Sequence, residues 1–456
     1  MDILWNAFYF VVALGILVTI HEFGHFWVAR KLGVKVLTFS IGFGKPLWQK
    51  QSKDGVNYIV AAIPLGGYVK MLDEREGDVS PDEIQYAFNR KSVWARMAIV
   101  LAGPLANFIL AVAFYWWMFV LGISGLSTEM GKIELDTIAG KAGLTSGDVI
   151  KKVDGEPVIL LQDVAKSLAV RLGDKGSIEL EVQSAQGVTN KMVSLSLKQW
   201  KVDSSSPQLL ESLGLRHKYY DSPIPAVFAL VSDKTPAADA GLRVGDKVKL
   251  FNNQSISNWQ GLVKVIESSA NEKVNLSVER NGELIDISVV IGSRKHNGTN
   301  IGFLGVSPAR PDASEYIKER EGGFFESFGL ALIETSNTIV LTARLFKKLI
   351  TGDISTKSLS GPLSIAEGAG RSASSGLVYF ISFVAMISVN LGFINLLPVP
   401  LLDGGHLLYF VIEAIKGKPL SERVQELGLQ IGMMMVFALM AIAIFNDLSR
   451  LIGRVH

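Results

Sequence analysis

The sequence contains no cysteine among its 456 residues. Disulfide bonds, thiolate nucleophiles and thiolate metal ligands are therefore excluded, so a metal site in this chain has to use other donors such as histidine and carboxylate. The absence of cysteine leaves the redox compartment undecided. Histidine is also scarce, at six residues, so two histidines at close spacing are informative.

The chain has little charge as well. Asp, Glu, Lys and Arg make up 19% of the residues, and the net charge is only +2. This balance argues against nucleic-acid binding and against a polybasic membrane switch. Hydrophobic residues reach 48% and the mean hydropathy is +0.31, too apolar for an ordinary soluble enzyme and too polar for an all-helical transporter. The composition predicts a membrane protein that carries soluble domains.

Long apolar runs supply candidate membrane spans, each of which needs about 20 residues. Four segments qualify, at residues 4–28, 97–127, within 372–402 and 427–446. The first has no Lys or Arg before its apolar core and no small-residue cleavage site after it, so we do not expect it to be removed as a signal peptide. Gly103, Pro104 and Asn107 in the second span are expected to serve close helix packing and a kink.

Basic residues near the span ends predict the orientation. The link between spans three and four carries Lys416, Lys418 and Arg423, and basic residues also lie at both ends of the segment between spans one and two. Only Asp2 is charged before the first span. Both links are therefore expected in the cytoplasm, which places both termini and the long segment 129–371 on the far side.

The first span ends in the motif His21-Glu22-Phe23-Gly24-His25. On a helix this spacing sets two imidazoles one turn apart on one face, beside a carboxylate. Zn²⁺ binds neutral imidazole, keeps a position for water and works with a nearby general base. Ionisable groups at membrane depth are costly and usually functional. The alternative interpretation is a paired buried charge with a structural role only.

A second motif ends the third span. Pro398 and Pro400 cannot continue a helix, so the backbone is expected to unwind just before Asp403. The predicted orientation places Asp403 at the same membrane face as His21 and His25. Two histidines and one carboxylate, with water in the fourth position, make a complete catalytic zinc site. The alternative interpretation is an ordinary interfacial turn at Asp403.

Together these motifs resemble the site-2 protease family of intramembrane zinc metalloproteases. The resemblance covers essentially the whole chain and rests on the His-Glu-x-x-His pattern and on an Asn-x-x-Pro-x-Pro-x-x-Asp-Gly pattern at residues 395–404. It implies one Zn²⁺ per chain. The implied ligands are His21, His25 and Asp403, with Glu22 as the general base. His406 stays in reserve as an alternative ligand.

The resemblance also implies a substrate and a location. The expected reaction is cleavage of single-span membrane proteins within or near their membrane segment. The substrate would be of the anti-sigma factor type after a first cut, with remnant signal peptides as further substrates, and no nucleic-acid partner is expected. The expected location is the bacterial inner membrane, with the termini and the soluble domains in the periplasm and the active site near the cytoplasmic face.

A substrate helix has to unwind before cleavage, because its carbonyl groups are held in internal hydrogen bonds. The amide of Asn395 could hold the extended substrate, and a helix-end Asn is the alternative. Residues 56–71 are predicted to form a hairpin with its turn at 64–67. The resemblance implies a re-entrant hairpin that pairs with the substrate by edge addition, and a small cytoplasmic hairpin is the alternative. The candidate substrate-binding residues are Asn395, Pro398, Pro400, Gly42, Gly44, Gly66 and Gly67.

The segment between spans two and three contains an internal repeat. The sequence AGLTSGDVI at 142–150 recurs as AGLRVGDKV at 240–248. Two long copies indicate two domains rather than a solenoid, which usually needs three or more shorter repeats. The Gly-Leu-x-x-Gly-Asp pattern resembles the PDZ fold, whose members bind extended peptides or C-termini at a sheet edge. Peptide binding and exclusion of bulky ectodomains from the cleft both remain open.

The predicted fold is a multi-pass α-helical membrane protein with four transmembrane helices, a re-entrant β-hairpin and two inserted α+β PDZ-like domains. Two other functions remain as alternatives, a non-catalytic membrane PDZ scaffold or chaperone and a transporter built from broken helices. The complete His-Glu-Asp set argues against the scaffold, and the lack of inverted-repeat symmetry argues against the transporter. His217, His296 and His456 are expected to be surface or packing residues. The predicted divisions are 1–128 with spans one and two, 129–221 and 222–309 as the PDZ-like domains, 310–371 as a linking segment, and 372–456 with spans three and four. The linking segment is predicted to contain an amphipathic helix at 324–350, followed before span three by a break formed by Gly361-Pro362 and the Gly/Ser-rich stretch 367–376.

Overall fold

The computed structural model describes residues 2–75, 77–185, 187, 189–198, 200, 202, 208–296, 299–320 and 322–455. His456 lies outside the described residues. The helices are α1 (Asp2–Lys31), α2 (Val93–Leu121), α3 (Ile138–Lys141), α4 (Leu161–Val170), α5 (Leu209–Ser212), α6 (Pro236–Asp239), α7 (Trp259–Ser268), α8 (Phe324–Thr351), α9 (Pro362–Ser375), α10 (Leu377–Asn395), α11 (Asp403–Lys416) and α12 (Glu422–Val455). The strands are β1 (Val36–Gln51), β2 (Asn57–Met71), β3 (Ile123–Leu126), β4 (Val149–Val153), β5 (Glu156–Pro157), β6 (Ser177–Gln183), β7 (Asn190–Ser196), β8 (Phe228–Val231), β9 (Lys247–Phe251), β10 (Gln254–Ser255), β11 (Lys273–Arg280), β12 (Glu283–Val290), β13 (Gly292–His296), β14 (Thr299–Phe303), β15 (Val306–Pro308) and β16 (Ile317–Arg320).

Four helices in the described part of the chain are long and apolar enough to cross a membrane, namely α1, α2, α10 and α12. They overlap the four predicted spans, and α1 and α12 continue beyond the apolar stretches at both ends. The second span was predicted to reach residue 127, but α2 ends at Leu121 and is followed by β3. The large exposed side chains of α12, such as Phe437 and Phe445, are 68% and 69% exposed. Such a surface suits a lipid environment and would be costly in water.

The predicted break is confirmed at Gly361 and Pro362, where α9 begins, but is wrong for 367–375, which are helical. Pro362 occupies the first turn, where a missing N–H costs no hydrogen bond. Gly370 allows close packing on α1, since a Cβ on it would lie 2.7 Å from the Asn6 Cγ. After Pro362 the helix is next interrupted at Gly376, whose φ of +120° separates α9 from α10. The predicted domain division between residues 371 and 372 therefore falls inside α9.

The helix α2 lies at the centre of the membrane helices and packs closely on two of them. Gly24 of α1 meets its backbone, so that a Cβ would lie 2.8 Å from the Ala102 carbonyl carbon. A Cβ on Gly392 of α10 would likewise lie 3.1 Å from the Pro104 carbonyl oxygen. Small residues at such contacts allow helix backbones to approach in the absence of a hydrophobic driving force. The glycines therefore fix where α1 and α10 stand relative to α2.

The hairpin predicted at 56–71 is part of a larger sheet formed by β1 and β2. Residues 38–41 pair with residues 67–70 in antiparallel register and with residues 57–60 in parallel register. The two halves of β2 therefore run in opposite directions, and the chain reverses at 64–67 as predicted, with a φ of +155° at Gly66. The sequence did not predict that β1 also reverses, near Gly42 with a φ of +95°. As a result, residues 36–41 lie between the two halves of β2.

The two repeats form two modules of the same topology. One sheet has the order β5-β4-β6-β7 and the other the order β10-β9-β11-β12, both antiparallel. Each module has its own buried core, with Leu168 of α4 against Leu180 in the first and Leu262 of α7 against Leu276 in the second. Two separate cores mean that each repeat packs as a unit of its own.

The amphipathic helix predicted for 324–350 is present as α8. It packs against α2 and α10, where Thr342 donates a hydrogen bond to the Asn390 Oδ1 at 2.7 Å. Its far end reaches the first module, where the Lys348 ammonium bonds the Val170 carbonyl at 2.9 Å and the Asp174 carboxylate at 2.7 Å. The helix thus joins the membrane helices to the first module.

Candidate active site

The histidines of α1 lie side by side in the interior of the helix bundle. His21 and His25 are each 8% exposed, and their rings stand 4.8 Å apart at 85° to each other. One helical turn separates them, so both point to the same side of α1. Their Nε2 atoms are 3.2 Å apart. The helix therefore presents two imidazole nitrogens to one point, as the motif predicts.

The carboxylate reaches that point from the far end of the chain. After α10 ends at Asn395, the backbone unwinds through Pro398 and Pro400, and α11 begins at Asp403, in agreement with the sequence-based expectation. This tight return requires a glycine at Gly405, because a Cβ there would lie only 2.6 Å from the Val399 carbonyl carbon. The loop therefore turns the first residue of α11 toward α1.

The three donor atoms form a compact triangle. The Asp403 Oδ2 lies 3.1 Å from the His21 Nε2 and 3.5 Å from the His25 Nε2. Zinc–ligand bonds of 2.0–2.1 Å in a tetrahedral site imply donor atoms separated by about 3.3 Å. The triangle therefore fits one face of a zinc tetrahedron. No other such group of His, Asp or Glu exists within the described ranges, so His406 does not join the cluster.

The helix α2 contacts the Nδ1 side of both imidazole rings. The His25 Nδ1 lies 2.8 Å from the Ile99 carbonyl oxygen, and the His21 Nδ1 lies 3.2 Å from the Asn107 Nδ2. Gly103 sits between them, and a Cβ on it would lie 2.5 Å from the His25 Cε1 and 2.9 Å from the His21 Cε1. The sequence-based prediction assigned Gly103 and Asn107 to packing alone. A polar amide at membrane depth was the signal that could have placed Asn107 at the site.

Glu22 faces the hairpin. The backbone of Val69 in β2 lies beside its carboxylate. Gly67 brings β2 against α1 here, because a Cβ on it would lie 3.1 Å from the Glu22 Cγ and 2.7 Å from the Ser40 carbonyl oxygen. A strand edge and a carboxylate thus lie together beside the two histidines.

The other candidate substrate-binding residues fall into two groups. Asn395 belongs to the centre, with its Nδ2 3.5 Å from the His21 Nε2. Gly42, Gly44 and Gly66 shape the hairpin, all with positive φ. Pro398 and Pro400 lie in the loop before Asp403. This loop packs on α12, where a Cβ on Gly432 would lie 3.4 Å from the Pro400 nitrogen.

A His-Glu-x-x-His helix with a converging carboxylate as the third metal ligand, set among helices that could span a membrane, defines a metalloprotease. The family model described as Peptidase family M50 matches residues 9–439, and the chain belongs to this family. It is 42% identical over 452 residues to the Regulator of sigma-E protease RseP of Escherichia coli strain K12, covering 99% of this chain and 100% of that one. It is 43% identical over 456 residues to the Protease RseP of Yersinia pestis, with the same coverage.

A relative from Vibrio cholerae that is named as a zinc metalloprotease is 44% identical over 453 residues, again covering 99% of this chain and 100% of the relative. The chain is therefore a zinc metalloprotease of the intramembrane type, and the predicted family and cofactor are confirmed. Neither a PDZ scaffold nor a transporter accounts for this membership.

Proposed function

We propose that this protein cuts single-span membrane proteins of the anti-sigma factor type within their membrane segment, using His21, His25 and Asp403 to hold zinc and Glu22 to move protons. The observation that carries the assignment is the triangle of donor atoms with sides of 3.1, 3.2 and 3.5 Å. The names of the relatives support a substrate in the control of sigma-E. Remnant signal peptides, which are also short single-span segments, are a second substrate class.

The roles of the residues follow from their positions. Zinc at this site supplies Lewis acidity, which activates water and polarises a carbonyl group. The Glu22 carboxylate, next in sequence to His21, accepts the proton of the attacking water and delivers it to the leaving amide nitrogen. The close approach of Gly67 to the Glu22 side chain places that carboxylate against the hairpin, where the substrate has to lie.

The hairpin supports a binding mode for the unwound substrate. The half of β2 that contains Gly67 and Val69 pairs with β1 on one side, and its other edge pairs with no strand of the described chain. An extended segment added along that edge would pass Glu22, with its backbone groups bonded by the strand. The Asn395 amide, at the same centre, can donate to a substrate carbonyl. This mode requires the hairpin to re-enter the membrane.

The proposed orientation places the hairpin and active site near the cytoplasmic face of the inner membrane and the two modules, as PDZ-like domains, in the periplasm. The absence of cysteine allows a clean test with single introduced cysteines. Asp233→Cys in the second module should react with a membrane-impermeant maleimide on spheroplasts. Asp82→Cys, in the link between α1 and α2, should react only after the membrane is opened. The reverse pattern would overturn the orientation.

The reaction itself is tested with a tagged single-span reporter that lacks most of its ectodomain. Wild type, Glu22→Gln and the control Glu426→Gln, an exposed residue of α12, are compared in liposomes, with zinc content measured in parallel. Wild type and the control should cut within the span, while Glu22→Gln should hold zinc without cutting. Zinc-free proteins that all leave the reporter intact, or a Glu22→Gln variant that still cuts, would overturn the proposal.

A further inference from the structure

Asn107 is a fully buried amide at the proposed zinc site. It is 0% exposed, and its Nδ2 lies 3.2 Å from the His21 Nδ1. Its Oδ1 has no hydrogen-bond partner among the residues that the structure describes. A buried amide oxygen without a partner costs about 1–3 kcal/mol. The amide is therefore in an unfavourable orientation as it stands.

The orientation of this amide decides which nitrogen of His21 carries the proton. When Nδ2 donates to Nδ1, the neutral ring must hold its proton on Nε2, where it faces Asp403 and leaves no lone pair for a metal. A half-turn about the amide bond to the Cβ exchanges the oxygen and nitrogen. Oδ1 then accepts the Nδ1 proton, the Nε2 lone pair faces the metal position, and the orphaned oxygen gains its partner.

We propose that Asn107 is the positioning residue that fixes the metal-binding tautomer of His21, by accepting the Nδ1 proton through its amide oxygen. It does for His21 what the Ile99 carbonyl oxygen, 2.8 Å from the His25 Nδ1, does for His25. Ile99, Gly103 and Asn107 follow at spacings of four residues and so share one face of α2. One helix that supplies no ligand thereby sets the tautomer of both ligand histidines.

The size of the effect follows from other zinc sites. Removing the hydrogen-bond partner of a ligand histidine costs 10- to 100-fold in metal affinity. The matched control is Ser388 on α10, whose hydroxyl donates to the Asn107 carbonyl oxygen at 2.7 Å. It is as fully buried as Asn107 and lies at the same helix contact. Ser388→Ala therefore removes a buried hydrogen bond without touching His21.

The experiment measures the zinc dissociation constant of the full chain in detergent by competition with a chelator, for wild type, Asn107→Leu, Asn107→Asp and Ser388→Ala. Asn107→Leu, similar in size but without an acceptor, should raise the constant by about 10- to 100-fold. Asn107→Asp, which keeps only acceptor atoms, should stay within about tenfold of wild type. Ser388→Ala should stay within about twofold, although it lowers the thermal unfolding midpoint as Asn107→Leu does.

Because the inference rests on His21 being a zinc ligand, His21→Ala is measured alongside. Loss of zinc in His21→Ala with an unchanged constant in Asn107→Leu would overturn the role of Asn107 and leave the proposed function intact. Equal losses in Asn107→Leu and Asn107→Asp would show that the amide donates, and would also overturn it. An unchanged constant in His21→Ala would remove the proposed zinc site itself.

Discussion

Buried carboxylates stand in both regions of the molecule, but their surroundings differ. In the repeated modules, Asp246 is 0% exposed and is bonded by the Arg243 backbone N–H at 2.9 Å and by the Arg280 guanidinium at 2.7 Å. Among the membrane helices, the Asp403 Oδ2 faces the Nε2 atoms of His21 and His25, at 3.1 and 3.5 Å, and no Lys or Arg pairs with it within the described chain. A buried carboxylate that is paired with a cation and a backbone N–H holds structure together, whereas one that faces two imidazoles indicates a metal ligand.

The first module repeats the pairing of a buried carboxylate with a cation and a backbone N–H. The Asp148 Oδ2 accepts the Thr145 backbone N–H and pairs with the Lys191 ammonium, both at 2.8 Å, while its Oδ1 has no partner in the described part of the chain. The repeated Gly-Asp sequence therefore builds the same turn twice. The two regions thus lead to opposite expectations when a carboxylate is changed to an amide, in activity for one and in stability for the other.

The largest expected effect is that of Asp403→Asn. The amide is a far weaker zinc ligand than a carboxylate, so reporter cleavage should fall by about 10³-fold or more and zinc content should fall with it. Cleavage in liposomes and metal analysis measure both. The thermal unfolding midpoint of the metal-free protein should hardly change, because no donor is left without its acceptor. A metal-free protein that unfolds far more easily would mean that Asp403 is structural.

Gly103→Ala should lower zinc affinity and cleavage by about 10- to 100-fold, because the added methyl group would push the His25 ring out of its position. Gly15→Ala in α1 is the matched control, since a Cβ there meets nothing within 4 Å. Chelator competition and reporter cleavage on both variants check the expectation. Equal zinc affinity and cleavage in the two variants would show that the His25 ring can shift without loss of the site.

Asp246→Asn should cost about 1–3 kcal/mol of stability in the second module and leave zinc binding unchanged. Burial opposes ionisation, but the Arg280 guanidinium and the Arg243 N–H hold the pKa of Asp246 below its usual range. The contribution of this pair is therefore present above the unfolded pKa of about 3.9 and is lost as pH falls through the folded pKa. Hydrogen-exchange protection of β9 and β11 in the full chain, measured at pH 7 and below pH 4, checks the loss of stability and its dependence on pH.

The smallest effect concerns His217, which is 2% exposed and accepts the Tyr219 N–H at its Nδ1. Burial holds the pKa of His217 below its usual value, against the nearby Glu129 carboxylate. The folded state therefore favours the neutral ring, and stability falls as pH drops below the unfolded value of about 6.5. The protection factor of the Tyr219 amide against hydrogen exchange, which corrects for the intrinsic pH dependence of exchange, should be lower at pH 5.5 than at pH 7.5, by a ratio that His217→Gln abolishes.

The sequence predicts the cluster well because each of its parts is set locally or by topology. Helical spacing alone aligns His21 with His25. The topology predicted from the basic residues near the span ends places Asp403 at the same depth in the membrane. The position of Asn107 at the site was not predicted, because it depends on the packing of α1 against α2, which no local sequence pattern encodes. The turn at 64–67 was predictable because Pro64, Gly66 and Gly67 are turn residues. The placement of residues 36–41 between its two strands was not, because that pairing is non-local.

The cluster also joins distant parts of the sequence, and the order of synthesis therefore separates its residues in time. His21 and His25 belong to α1, whereas Asp403 is synthesised 378 residues after His25. At about 5–20 residues per second, the interval is roughly 20 to 80 seconds. During synthesis the histidines lack their third partner, so the newly inserted first span cannot assemble a complete metal site while other nascent membrane segments are close by.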